Sequence, residues 1–106
     1  MQQTVLVVAD DLHILILAQA MLTGKGYNVL VASDAGYATN LLKQCIVPVE
    51  YVAIRAGMQG CQEVQDWSRR RGVRSCTFHG TVDERRVRLE GLDSGEDWES
   101  ALAVVH

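Results

Sequence analysis

The chain has 106 residues, which suits one domain, and its 48% hydrophobic content is enough for one modest core. Ten Lys and Arg stand against thirteen Asp and Glu, and this net charge of −3 argues against nucleic acid as a partner. The three cysteines lack metal-type spacing, which argues against a disulfide framework and a zinc site, so we expect no metal and no other cofactor.

The amino-terminal part of the chain shows no sign of a membrane anchor. It has no charged, apolar and small-residue leader. The longest apolar stretch, 12–22, is interrupted by His13 and Gln19 and is too short to cross a bilayer. We therefore expect a cytoplasmic protein without a membrane span.

Extended segments alternate with helix-compatible segments along the chain. The extended segments are 4–9, 28–33, 50–55, 73–79 and 86–90, and the helical segments are 12–24, 35–45, 60–71 and 95–105. The early extended segments are apolar throughout, as in strands that are covered on both faces. This alternation predicts an α/β domain with a doubly wound parallel sheet, whose functional groups gather beyond the carboxyl ends of the strands.

Helix-capping residues agree with these boundaries. Asp11 is placed to cap the first helix, and Gly24 and Gly26 can end it. Ser33 or Asp34 can begin the second helix.

Three segments resemble the receiver domains of bacterial response regulators. They are TVLVVADDLHIL at 4–15, GYNVLVASDAGYA at 26–38 and, more loosely, RAGMQGCQ at 55–62. The resemblance covers residues 3–80 and implies a flavodoxin-like sheet of five parallel strands in the order 2-1-3-4-5, with helices on both faces. Only seven residues, 80–86, stand where receivers have their fourth helix, so this helix is expected to be short or missing.

In this alignment the receiver phosphorylation pocket is degenerate. The aspartate that accepts a phosphoryl group at the end of the third strand is replaced by Arg55, which cannot be phosphorylated by that route and repels Mg²⁺. The acidic pair after the first strand becomes Ala9 and Asp10, with Asp11 one residue further on. The resemblance therefore implies that the metal ligands and the acceptor are lost.

Two further positions of the pocket also differ. The hydroxyl residue that ends the fourth strand is replaced by His79, and the lysine after the fifth strand falls near Glu90. No nucleophile with a partner acid stands near His79, so we expect no enzymatic activity. The charges of Asp10, Arg55 and Glu90 predict an ion-pair cluster in the volume of the missing metal and phosphate. The alternative is that Arg55 extends into solvent.

Cys61 is predicted in the loop or first helical turn after the third strand. The three cysteines are expected to be reduced thiols packed as small apolar groups. The alternative for Cys61 is that a helix N-terminus and Arg55 lower the pKa of its thiol.

Seven of the ten cations fall within twenty residues, ahead of an acidic stretch at 90–99. These cations are Arg69, Arg70, Arg71, Arg74, Arg85, Arg86 and Arg88. Such a basic surface suits electrostatic steering of a protein partner. The alternatives are solvated helix and loop ends, or a sensor site for a phosphate-bearing small molecule such as a nucleotide.

The first predicted helix is apolar around most of its circumference, more than one sheet-facing stripe requires. A homodimer or a partner helix would cover the surplus. Taken together, the sequence predicts a pseudo-receiver: a non-enzymatic protein interaction module of bacterial signal transduction that works without phosphorylation.

Overall fold

Strands and helices alternate along most of this chain. The computed structural model describes residues 3–44, 48–83 and 86–90. Its elements are β1 Thr4–Val8, α1 Leu12–Gly24, β2 Asn28–Ala32, α2 Ala35–Gln44, β3 Tyr51–Arg55, α3 Cys61–Arg70, β4 Arg74–Asp83 and β5 Arg86–Glu90. The first three strands and all three of these helices begin and end within one residue of the predicted bounds. The helix predicted over 95–105 lies outside the described residues.

Four of the strands form a parallel sheet in the order β2-β1-β3-β4. In the register of this sheet, Val5 of β1 stands between Val29 of β2 and Tyr51 of β3. Each parallel connection carries one helix, as strand–helix–strand units require. The α/β architecture predicted from the alternation is therefore present.

Side chains of β1 point alternately into two cores. Val5 and Val7 pack with α1 on one face of the sheet. Leu6 and Val8 pack with α2 and α3 on the other face. All five residues of β1 are buried, as expected for an apolar strand covered on both faces.

The fifth strand corrects the prediction of five parallel strands. β5 runs antiparallel to β4, with Arg86 opposite Asp83 and Glu90 opposite His79. Only two residues separate β4 from β5, whereas a parallel connection needs a crossover of about a dozen residues. The expected short or missing fourth helix is replaced by a longer β4 and a hairpin.

Aspartates cap the first two helices. The Asp11 carboxylate accepts hydrogen bonds from the backbone N–H groups of His13 at 2.8 Å and Ile14 at 3.2 Å. The Asp34 carboxylate accepts one from the N–H of Tyr37 at 2.7 Å. Both caps satisfy amide groups that a helix start leaves without a partner, so they fix the loops after β1 and β2.

Within the described ranges, none of the helices has both the length and the apolar character needed to cross a bilayer.

Candidate functional site at the carboxyl edge of the sheet

Arg55, the last residue of β3, joins two neighbouring parts of the sheet. Its Nη1 donates to Asp10 Oδ1 at 2.8 Å, in the loop after β1, and its Nε donates to the backbone carbonyl of Gly80 at 3.1 Å, in β4. The Arg55 side chain is 26% exposed and that of Asp10 is 49% exposed. Arg55 is therefore paired across the end of the sheet and does not simply extend into solvent.

The other two residues after β1 have structural roles. Ala9 is fully buried in the core beneath α1, and its N–H donates to the carbonyl of Ala32 at 3.1 Å. The carboxylate of Asp11 caps α1. Of the candidate acids after β1, Asp10 is therefore the one that reaches Arg55.

His79 and Glu90 stand opposite each other in the β4–β5 hairpin. His79 lies inside β4 and is exposed, since the strand continues to Asp83 instead of ending at His79. The predicted third member of the ion-pair cluster, the Glu90 side chain, lies outside the part of the chain whose side chains are described.

A cleft of about 350 Å³ lies among the loops after β1, β2 and β3, and Asp10 forms part of its wall. Three carboxylates line it, from Asp10, Asp34 and Glu63, together with the neutral polar side chains of Ser33 and Gln59. Three carboxylates give this lining a negative charge, which disfavours a phosphate group. Within the described residues, no group of three or more His, Cys, Asp or Glu could hold a metal ion.

Gly60 determines how closely the loop before α3 and the start of α2, which form two walls of this cleft, approach each other. It has a φ of +83°, and a Cβ placed on it would lie 2.4 Å from the Ala35 Cβ. The loop before α3 therefore touches the start of α2 only because residue 60 has no side chain. Sequence reasoning missed this contact, since two residues 25 positions apart leave no local pattern.

The thiol of Cys61 overturns one expectation. Burial raises its pKa, and a hydrogen bond to the backbone of Gly57 only partly offsets the effect. The alternative in which Arg55 and the start of α3 lower this pKa is therefore wrong, because desolvation of the thiolate is the larger effect. Arg55 is engaged with Asp10 and Gly80 instead.

No family model matches this chain, and no curated protein matches it. Among solved structures, a de novo designed Rossmann-fold protein is similar over 96% of this chain and 97% of its own, with a TM-score of 0.53 and 16% identity. The fold is Rossmann-like. At 16% identity the similarity concerns the fold alone, so arguments about function rest on the residues of this chain.

The Rossmann-like fold divides the predicted basic surface into two groups. Arg69 and Arg70 end α3, and Arg74 begins β4. Arg86 and Arg88 belong to β5, where Arg86 stands opposite Asp83 at the other end of β4. Nine residue steps from the start of β4 to its end correspond to about 30 Å. The arginines around the end of α3 are therefore separated from those of β5 by most of the length of β4. Arg85 lies outside the described residues.

Trp67 gathers cations at the end of α3. The Nζ of Lys43 lies 4.7 Å from the centre of the Trp67 ring, and the Cζ atoms of Arg70 and Arg71 lie 5.1 and 6.0 Å from it. We call these four residues the Trp67 cluster. Sequence reasoning missed Lys43, which is 24 positions from Trp67 and belongs to α2.

The Rossmann-like fold also leaves part of α1 uncovered. Leu12 is 67% exposed and Ile16 is 58% exposed. A shallow groove of about 360 Å³ runs beside them, lined by His13, Ile16, Leu17 and Ala20. The surplus apolar surface expected of the first helix is present.

Proposed function

We propose that this chain is a receiver-like domain of bacterial signal transduction that acts as a protein interaction module without aspartate phosphorylation. The observation that carries the proposal is the contact of Arg55 with Asp10. In receivers, the carboxyl end of the third strand supplies the phosphoryl acceptor, and the acids after the first strand hold Mg²⁺. If the chain is aligned with receivers, Arg55 takes the acceptor position and pairs with Asp10, so neither residue is left to accept phosphate or to bind Mg²⁺.

Two other carboxylates near this edge have structural roles. Asp11 accepts two amide hydrogen bonds at the start of α1, and Asp34 accepts one at the start of α2. In both caps the hydrogen bonds are accepted by Oδ1 of the carboxylate. Helix capping is thus sufficient to explain these two aspartates after β1 and β2, without a role as phosphoryl acceptors.

The hydrogen bonds of Arg55 also support an interaction surface that keeps one conformation. Its guanidinium connects the loop after β1 to β4 at once, through Asp10 and Gly80. A phosphorylation switch needs two arrangements of such loops, with a ligand that favours one of them. A fixed arginine in place of the phosphate favours one arrangement at all times. Partners would then bind the same surface under all conditions.

The test is incubation with a small acyl phosphate and Mg²⁺, followed by intact mass spectrometry. We expect no phosphoryl adduct on the wild type, while a receiver with an intact acceptor, treated in parallel, is modified. The same treatment of an Arg55→Asp variant tests whether an aspartate at the end of β3 is sufficient for phosphorylation. A phosphoryl adduct on the wild type would overturn the proposal, and the site could then be located with Asp10→Asn, Asp11→Asn and Asp34→Asn.

A second candidate function is sensing of a phosphate-bearing small molecule, and the Trp67 cluster is the observation that favours it. Three cations around one aromatic ring suit a nucleotide, whose phosphates pair with arginine and lysine. A ligand at about 100 times its Kd stabilises a protein by roughly 2.7 kcal/mol. Thermal melts with nucleoside phosphates and cyclic dinucleotides test this function. Equal melting temperatures throughout the series would remove it.

A further inference from the structure

The end of α3 is closed by backbone hydrogen bonds. The N–H of Gly72, at a φ of +71°, donates to the carbonyl of Arg69 at 3.1 Å, and the N–H of Val73 donates to that of Ser68 at 2.8 Å. This pair of bonds is the Schellman motif, which satisfies carbonyls left open at a helix end. The cationic side chains nearby are therefore not required to cap those carbonyls.

One cation of the Trp67 cluster, Arg71, is held in place by a hydrogen bond between two helices. Arg71 Nη2 donates to the backbone carbonyl of Lys43 at 2.7 Å, which joins the end of α3 to the end of α2. The Trp67 ring packs against the core between the sheet and these two helices. A guanidinium that contacts an aromatic ring can keep its N–H edge available for an anion.

The positive charge of this cluster is not neutralised by described neighbours. Among the described residues, no carboxylate forms a salt bridge with Lys43, Arg70 or Arg71. The acid closest in sequence, Asp66, pairs with Arg69 at 3.8 Å. A positive surface thus stands on a protein whose net charge is −3. Its complement is an anionic group on a partner.

We infer that the Trp67 cluster is a docking site for an acidic segment of a partner protein, rich in Asp and Glu. Arginine donors match carboxylates in a two-bond geometry, and prior positioning of the side chains lowers the entropy lost on binding. Three cations form a small site, and the acidic remainder of the chain repels a long polyanion such as nucleic acid. The inference rests on the proposed function in taking the partner to be a protein.

Fluorescence anisotropy with a labelled peptide of alternating Glu and Gly tests the site. The double variant Arg70→Glu/Arg71→Glu reverses two charges of the cluster. The matched control, Arg86→Glu/Arg88→Glu, makes the same charge change on β5 of the hairpin. We expect the first variant to bind the peptide at least about tenfold more weakly than the wild type, and the control to change Kd less than about twofold. Lys43→Glu, on an exposed position, repeats the test should the double variant unfold.

Several results would overturn the inference. Equal weakening by the cluster variant and the hairpin control would mean that net charge alone determines binding. Tighter binding of a single-stranded oligonucleotide of the same charge would indicate nucleic acid instead. Binding of the peptide by the variant Glu96→Gln/Asp97→Asn/Glu99→Gln, but not by the wild type, would mean that the cluster binds the acidic stretch of its own chain. No binding by either protein would also refute the inference. Mass spectrometry of the phosphoryl adduct tests the proposed function separately, so the two failures are distinguishable.

Discussion

Arg55 Nη1 lies 2.8 Å from Asp10 Oδ1, across the ends of the adjacent parallel strands β3 and β1. The same guanidinium donates to the Gly80 carbonyl in β4, on the other side of β3. One side chain thus connects three neighbouring chain segments at the edge where α/β sheets of this class bind ligands. In this protein the edge holds an ion pair.

Replacing Arg55 with alanine should lower the free energy of unfolding by about 1 kcal/mol. The variant removes two hydrogen bonds, but the half-exposed Asp10 carboxylate can be rehydrated, which limits the loss. Urea unfolding of both proteins measures the change. Arg69→Ala is the control, because its 3.8 Å pair with Asp66 is more exposed and should contribute less than about 0.5 kcal/mol. Equal losses in the two variants would contradict a special role for Arg55.

Asp11→Ala should destabilise the protein by about 1 kcal/mol, because two amides at the start of α1 lose their acceptor. Asp11→Asn keeps a capping oxygen and should cost much less. Chemical denaturation of the two variants checks the difference. Were alanine and asparagine equivalent, the cap would not explain the presence of Asp11.

Gly60→Ala should be more damaging than Gly57→Ala, although both glycines have a φ of +83°. Both variants place alanine in the left-handed region of backbone conformation, which should lower the free energy of unfolding by about 1–2 kcal/mol. Only at Gly60 does the new methyl group meet Ala35, and overpacking adds about 1–3 kcal/mol. Thermal melts compare the two variants. Equal melting temperatures would show that the loop before α3 can move away from Ala35 without a loss of stability.

Cys61 should react slowly with iodoacetamide at neutral pH. Burial raises its pKa, so the thiolate fraction at pH 7 is smaller than that of an ordinary cysteine, and the rate should rise only in more alkaline solution. Intact mass spectrometry of a Cys45→Ser/Cys76→Ser variant follows Cys61 alone, with the urea-unfolded variant as control. Faster alkylation in the folded protein than in the unfolded one would contradict this prediction.

The exposed Leu12 and Ile16 should promote self-association through α1. We expect light scattering of the wild type to show a mass that rises with concentration, and Leu12→Glu/Ile16→Glu to remain monomeric. Tyr37→Glu is the control, since Tyr37 is 54% exposed on α2, on the opposite face of the sheet. A monomeric wild type at all concentrations would exclude the homodimer.

The hairpin shows how a pattern can be correct in its elements and wrong in its connections. The pattern predicts strands over 73–79 and 86–90, and both are strands, with β4 ending four residues later than predicted. The resemblance to receivers implies a parallel β5, and this direction is wrong because β5 runs antiparallel to β4. The short gap between the two segments already excludes a parallel crossover of a dozen residues.

The sequence by itself determined the elements, the two-sided burial of β1 and the presence of Arg55 at the end of β3. Hydrophobic periodicity, capping aspartates and glycines act over a few residues, so these features can be predicted from local patterns. The tertiary structure decided which groups meet: Arg55 with Gly80, Gly60 with Ala35, and Lys43 with Trp67. These contacts join residues about 25 positions apart, and they depend on how the strands and helices pack. Packing across the sheet is a property of the whole chain, and no local pattern records it.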